Sequence, residues 1–337
     1  MDTLTHIAFG ACLGEVIAGK QLGKKAMLLG AVLSNLPDID VTTALWMDST
    51  SALLAHRGIT HSIFFAFIAT PLISLAFKRL FTKSEFSFNQ WLLLVGSGIF
   101  IHIFMDAFTS FGTGWFEPFN HARISFNTLF IFDPLFSLPL IISFSALLIL
   151  KRSSLKRNVW MKIGLYSSAI YFISAGINKI YVNHVIEKDL AERSIAYDKY
   201  FATPTPFNNL LWYIVVSSGP FYHIGYYSIL DKSPLIEYQE LNKNDSLLAA
   251  VRDFKEIQNL IQFSNGYYCA TKRGDSIIFN VMRFGQEGGW YKKNAPFVFN
   301  FDIQNLNANA MVLQKGRLKS FNGAALPKLW ERMRGKI

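Results

Sequence analysis

The chain reads as an α-helical integral membrane domain followed by a small β-rich extramembrane domain. Three observations lead there. Hydrophobic residues make up 51% of the 337 positions and charged residues only 17%, with a mean hydropathy of +0.25. The apolar residues gather in long runs in the first half of the chain, and beyond about residue 200 short aromatic and β-branched stretches replace them. Soluble domains carry about a quarter charged residues, so this composition excludes an ordinary soluble enzyme or a disordered chain. Cys12 and Cys269 are far apart and define neither a disulfide framework nor a metal motif. The net charge is +10, but the basic residues fall in short clusters between apolar runs and form no single face, so nucleic acid is not an expected partner.

Four runs, near 61–77, 91–108, 133–150 and 159–178, have the length and apolarity of bilayer-spanning helices, which need about 20 residues. The first is short and contains Pro71, which a membrane helix tolerates where neighbours satisfy the freed carbonyl. Two shorter runs, 4–18 and 26–36, read either as tilted short helices or as a hairpin buried among the others. The expected membrane domain thus has about four long and two short helices. No Lys or Arg precedes Lys20, so the start lacks the basic flank of a signal peptide and is expected to be retained.

Three basic clusters follow alternate runs: Lys20, Lys24 and Lys25; Lys78, Arg79 and Lys83; Lys151, Arg152, Lys156 and Arg157. If all six runs cross, these clusters share one side, which the positive-inside rule makes cytoplasmic. Loops 37–60 and 109–132, and everything after about residue 180, then face outward. Residues 1–200 form the expected membrane domain and 201–337 the water-facing one. Pro204 and Pro206 end a charged helical extension, and strands are expected at 210–217, 221–230, 266–271, 276–284 and 296–302. The basic end around Leu329 and Trp330 reads as a solvated tail in preference to a short amphipathic helix.

The chemically distinctive residues sit at the same ends of these runs. His6 opens the first, Asp38 and Asp40 close the second, and His56 and His61 precede the third. His102 and Asp106 close the fourth, and Asp133 opens the fifth. Tracing the alternation puts all of them opposite the basic clusters. Ionisable groups at membrane depth are costly and mark function. His102 and Asp106, four residues apart, share one helix face. Mixed His and Asp ligands suit zinc and related divalent ions, with carboxylates able to bridge two of them. Each residue also has a plainer role: Asp2 as a cap or terminal charge, Pro37-Asp38 as a helix stop, Asp133-Pro134 as a helix start.

The set resembles a known family. Asp2-x-x-Thr5-His6, Leu36-Pro37-Asp38-Ile39-Asp40, His56-Arg57-Gly58-Ile59-Thr60-His61-Ser62, His102-x-x-x-Asp106, Thr109-Ser110-Phe111-Gly112-Thr113, Glu117-Pro118-Phe119 and Phe132-Asp133-Pro134 are similar to the YdjM/YfhP-like membrane-bound metal-dependent hydrolases. The likeness is strong over about 1–135 and weaker at 204–212 and 282–284. It implies an integral protein of the bacterial inner (cytoplasmic) membrane that hydrolyses something with a divalent metal. A looser likeness to the zinc-dependent phospholipase C group would put Asp40, His61, His102 and Asp106 in that group's ligand order and implies phosphoesters, which a bilayer supplies as phospholipid headgroups.

On this basis His6, Asp38, Asp40, His61, His102 and Asp106 are the expected metal ligands, to one or two ions, zinc first. His56 is either a ligand or the general acid–base. Arg57 and Arg123 either bind a phosphate oxygen or anchor at the interface. Thr60, Ser62 and Thr109 would orient ligands, and Gly112 and Gly114 would close a tight loop. His121 is a further candidate, whereas His184 and His223 read as surface or interface residues. The expected partner is a membrane lipid or lipid-linked substrate at the non-cytoplasmic face, and no protein partner is assigned to the C-terminal domain. Two other classes compete: a transporter of a metal ion or small solute, which would place its site near the midplane between repeats, and a non-catalytic membrane scaffold with a structural metal.

Overall fold

A computed structural model describes residues 1–82, 85–274, 276–304, 311–315 and 323–336, which form two compact units. The first unit comprises Met1–Thr43, Ala55–Gly176 and Pro206–Asn208; the second comprises Ala44–Leu54, Ile177–Thr205 and Asn209–Ile337. Lys83 of the second basic cluster lies outside the described residues. The chain begins with α1 (Thr3–Leu22), α2 (Lys24–Leu33), α3 (Ser49–Ala55), α4 (Ile63–Leu80), α5 (Phe88–Ala107), α6 (Pro134–Ile149) and α7 (Lys156–Glu192). A 3-10 stretch, Pro37–Leu45, follows α2, and a 3-10 turn, Ile59–His61, precedes α4.

Local chemistry fixes the helix starts. The Asp2 side chain caps α1 by accepting from Thr5 N, Ser62 caps α4 by accepting from Phe65 N, and Ser87 and Gln90 form a capping box at α5. Asp133 caps α6, with Pro134 in the first helical position. Among the described residues, two helices are long and apolar enough to cross a bilayer: α4 with mean hydropathy 1.7 and α5 with 1.5. The other two expected long spans come out differently. The run at 133–150 gives the 16-residue α6, and the run at 159–178 is absorbed in the 37-residue α7, which continues through charged Glu187, Lys188 and Asp189 with no Pro to stop it.

The two short runs form a hairpin, α1 and α2, turning at Gly23. A Cβ added at Gly30 would lie 2.0 Å from Gly10 O, and one at Gly14 would lie 2.1 Å from Ala26 O. Only glycine lets the backbones approach so closely, which is how helices associate in lipid, where burying apolar surface gives no drive. One apolar cluster joins Ala8, Ala11, Cys12 and Met27 to Met105, Leu140 and Leu147; a second joins Ala18, Ala26 and Leu33 to Trp91, Val95 and Ile99. At the basic end, Arg152 donates to Lys20 O at 2.7 Å. Arg157, expected among the loop cations, is instead buried on the first turn of α7 and pairs with Glu15 of α1 at 2.7 Å.

The second unit holds two antiparallel four-stranded sheets. The first has the order β1 (Lys199–Pro204), β2 (Leu211–Ser218), β3 (Phe221–Ser228), β4 (Tyr238–Asn242). After α8 (Lys255–Phe263), the second has the order β5 (Tyr268–Arg273), β6 (Ser276–Gln286), β7 (Phe297–Gln304), β8 (Met311–Lys315). Phe201, Tyr213, Val215 and Tyr222 of one sheet pack against Cys269, Met282 and Phe297 of the other. The last turns of α7 cover the opposite face of the first sheet through Val182, Ile186 and Leu190. The chain end is a helix, α9 (Ala325–Met333), and not the expected solvated tail. Leu329 and Met333 recur every four residues and are buried with Leu211 and Trp290, while Arg332 grips Asp231 through two bonds of 2.6 and 2.8 Å.

Candidate metal centre

The site is assembled from loop ends in the first unit. The last turn of α5 presents His102 and Asp106, the 3-10 stretch after α2 presents Asp38 and Asp40, and the 3-10 turn before α4 presents His61. His61, His102 and Asp106 are fully buried, and the Asp38 side chain is 20% exposed. His61 Nε2 and His102 Nε2 are 3.1 Å apart. Asp38 Oδ1 lies 3.5 Å from His61 Nε2 and 3.3 Å from His102 Nε2; Asp106 Oδ2 lies 3.4 and 3.5 Å from the same two atoms.

These separations fit a cation. Four N and O ligands at about 2.0–2.1 Å around a tetrahedral ion stand about 3.3–3.4 Å from one another. The Asp38 Oδ1 and Asp106 Oδ2 atoms facing the two imidazoles are buried and have no well-formed hydrogen bond, their near neighbours being the imidazoles themselves and, for Asp106, the Arg57 guanidinium. Buried carboxylate oxygens are normally paired, and such an orphan calls for an explanation. The imidazoles are also held in the right tautomer. His102 Nδ1 donates to Ser34 O at 2.5 Å, and His61 Nδ1 faces Asp40 Oδ2 at 3.1 Å. Each rear nitrogen thus carries the proton, and each Nε2 directs a lone pair inward. Burial lowers the pKa of His61, but hydrogen bonds with Asp106, Asp38 and Asp40 outweigh it and lift the value to about 9. Burial raises Asp38 and Asp40, yet their imidazole partners prevail and hold both below the usual carboxylate range.

A support layer surrounds these four residues. Asp40 accepts from His56 Nδ1 at 2.8 Å, from Arg57 N at 2.8 Å and from Thr60 Oγ1 at 2.6 Å. Arg57 adopts φ +61, the left-handed conformation costly to residues with a Cβ. It is held there by Asp40 on its N–H and by Gly114 N, which donates to its carbonyl at 2.9 Å. Its guanidinium is 3.0 Å from Asp106 Oδ2 and donates to Thr109 Oγ1 and Met1 O, both at 3.0 Å. The Met1 amino group also ion-pairs with Asp106. Gly112, at φ +65, lets the following loop pass where a Cβ would meet Ile124 O at 2.5 Å.

The family described as YdjM inner membrane protein matches residues 1–179, just over half of the chain. The chain belongs to the YdjM family. Among relatives, the inner membrane protein YbcI of Escherichia coli (strain K12) is 30% identical over 122 residues, covering 36% of this chain and 69% of YbcI. The protein YfhP of Bacillus subtilis (strain 168) is 26% identical over 140 residues, 40% of this chain and 42% of YfhP. No solved structure matches the chain. Family membership and the two candidate spans together give this YdjM-family protein a membrane location.

The ligand atoms of Asp38, His61, His102 and Asp106 lie within 4.8 Å of one another, and so do those of a second group, Asp38, Asp40 and His56. His6 stands beside the first group: its Nε2 is 3.0 Å from Asp106 Oδ1, and its ring stacks on His102 with centroids 3.8 Å apart. Arg123 Nη2 donates to His56 O at 2.8 Å. Thr60 and Thr109 bond within the site, whereas Ser62 donates to Ile59 O and caps α4. His121 is exposed and pairs with Glu117 at 2.8 Å. His184 and His223 lie in the second unit, on α7 and β3. The Ser34 carbonyl that holds His102 Nδ1 could not be read from residue types, because a backbone acceptor has no side-chain signature.

Proposed function

We propose that this YdjM-family protein is a membrane-embedded, metal-dependent hydrolase that cleaves an ester or phosphoester of a lipid or lipid-linked substrate at the non-cytoplasmic face. The observation that carries this reading is the convergence of two imidazole nitrogens and two buried carboxylate oxygens, all within ligand-to-ligand distance of one another, on one buried point. A divalent metal, zinc first, would be held by Asp38, His61, His102 and Asp106, and it supplies Lewis acidity and a water acidified toward neutral pH.

The chain's own groups divide the remaining work. His56 has its Nδ1 on Asp40 and a side chain 31% exposed, so a carboxylate orients an imidazole that solvent can reach. That is the arrangement of a general base. Arg57 and Arg123 act as positioning residues, Arg57 on Asp106 and Arg123 on the His56 backbone. Substrate enters on the side of Asp38, the half-exposed ligand common to both groups. An amphiphilic substrate is supported by the surroundings. Ile59 and Phe64, on either side of His61, are exposed, Phe119 packs edge-on against Phe64 at 5.5 Å, and the exposed face continues down α4 through Phe67 and Leu72.

A second reading also has an observation behind it. Four protein ligands close a tetrahedral shell, which is the form of a structural site. The two separate cleanly. Vesicles of defined phospholipids are incubated with detergent-purified protein, and headgroup release is measured with and without chelator alongside bound metal by elemental analysis. Bound metal with chelator-sensitive release supports the hydrolase. Bound metal with no release from any lipid class leaves the structural scaffold.

A further inference from the structure

The second unit carries a cleft of about 850 Å³ between the outer part of the β3–β4 hairpin, the loop after β6 and helix α9. Its volume lies in the range of small-molecule sites. Four aromatic side chains, Tyr226, Tyr238, Trp290 and Tyr291, line it. So do Lys232, Lys292, Lys293 and Lys336, none of which is within ion-pairing distance of a carboxylate among the described residues. The acids Asp231 and Glu331 are already matched, by Arg332 at 2.6 Å and Lys328 at 2.8 Å. Six lining cations face three lining acids, Glu237 being the third, which leaves an excess of three positive charges.

We propose that this cleft binds a phosphorylated sugar, with the phosphate taken by the unpaired lysines and the ring laid on the tyrosines. Lysine ammonium groups donate strong charge-assisted hydrogen bonds to phosphate oxygens. The Tyr291 and Tyr238 rings carry Lys292 and Arg193 over them, 5.3 and 5.8 Å from the ring centroids, so aromatic surface and cation lie side by side at the cleft. Ser233 and Glu237, also in the lining, offer a hydroxyl and a carboxylate that can pair with ring hydroxyls. The phosphosugar could arrive free or as the headgroup of a membrane glycolipid. The site involves no residue of the metal centre, so it stands apart from the hydrolase reading.

The test uses the full-length protein in detergent and titration calorimetry with glucose 6-phosphate, glucose and inorganic phosphate as probes. A parallel arm measures sedimentation with phosphatidylcholine vesicles carrying a phosphorylated glucosamine glycolipid. Glucose 6-phosphate is expected to bind saturably and at least tenfold more tightly than glucose or phosphate alone. Glycolipid vesicles binding while the free sugar phosphate does not would support the same cleft with a lipid-borne ligand. The double variant K292E/K293E, at two exposed positions, is expected to weaken binding at least tenfold with an unchanged melting temperature, and Y291A, whose ring also packs against the Leu211–Trp290 cluster, to weaken binding by a similar factor. Absence of binding in both arms, or binding that both variants leave unaltered, overturns the proposal.

Discussion

Removing the cation from the centre should destabilise the protein by an amount that can be worked out. A ligand bound only by the folded state stabilises it by about 2.7 kcal/mol when its concentration is a hundredfold above its dissociation constant. In chains of about 150–250 residues, 1 kcal/mol moves the melting temperature by about 2–4 °C, and less in longer ones. Chelation of this 337-residue chain should therefore lower the melting temperature of the wild type by several degrees, with about 5–10 °C as the ceiling. His102 is the sharpest perturbation, because its Nε2 is 3.1–3.5 Å from the other three ligand atoms and its Nδ1 is already spent on Ser34 O. His102→Ala should melt near the chelated wild type and show no further response to chelator. The assay is thermal unfolding in detergent, with elemental analysis of the same samples. A wild type that carries no stoichiometric divalent metal, or a chelator response equal in wild type and variant, would refute the reasoning.

Other substitutions test the parts around that centre. Gly30→Ala places a Cβ 2.0 Å from Gly10 O, so α1 and α2 must part by roughly an ångström; overpacking of this kind costs about 1–3 kcal/mol. Because His6 and Ser34 ride on those helices, bound metal should fall along with the melting temperature. Arg57→Ala strips the cation from fully buried Asp106 and should cost about 3–5 kcal/mol in denaturant unfolding, with Arg57→Lys recovering part of it. His56→Gln should slow any chelator-sensitive turnover by about 10²–10⁴-fold while leaving bound metal in place; equal turnover in wild type and variant would remove the base role.

The helical half and the site were legible because both depend on residue types with unmistakable chemistry. Runs of apolar residues announce helices, and His or Asp at a run's end has few reasons to be there. The count of long spans was not legible. Nothing in the run at 159–178 reports that α7 will continue to Glu192, since Glu187, Lys188 and Asp189 suit a helix as well as a loop. The hairpin turned on Gly10, Gly14 and Gly30, whose meaning lies in what faces them across the interface. In the second unit, β2, β3 and β5–β7 came from aromatic and β-branched runs. The strand β4 has a mixed, half-buried to exposed pattern that gives no alternation to read, and β1 comes soon after a charged helical extension. Helix α9 was obscured by its lysines and arginines, which hide the buried Leu329 and Met333 spacing.

If the centre binds metal as proposed, Asp40 decides how many ions it takes. It lies in the second group with Asp38 and His56, yet both of its oxygens are engaged by His56, Arg57, Thr60 and His61. Those bonds make it the hinge of a relay, since one carboxylate orients the ligand His61 and the solvent-facing His56 together. If it only positions, Asp40→Asn keeps an acceptor toward His61 but loses the charge that makes the imidazole a strong donor to metal. Disturbing such a partner typically costs 10–100-fold in metal affinity without changing the number of ions. If it is itself a ligand, the same substitution removes one ion of two and leaves the affinity of the other largely intact. Titrating metal into the stripped protein and comparing stoichiometry with affinity separates the two. The saturation of Asp40's oxygens predicts the first outcome, one ion per chain in both proteins, and a drop from two ions to one would make Asp40 a ligand.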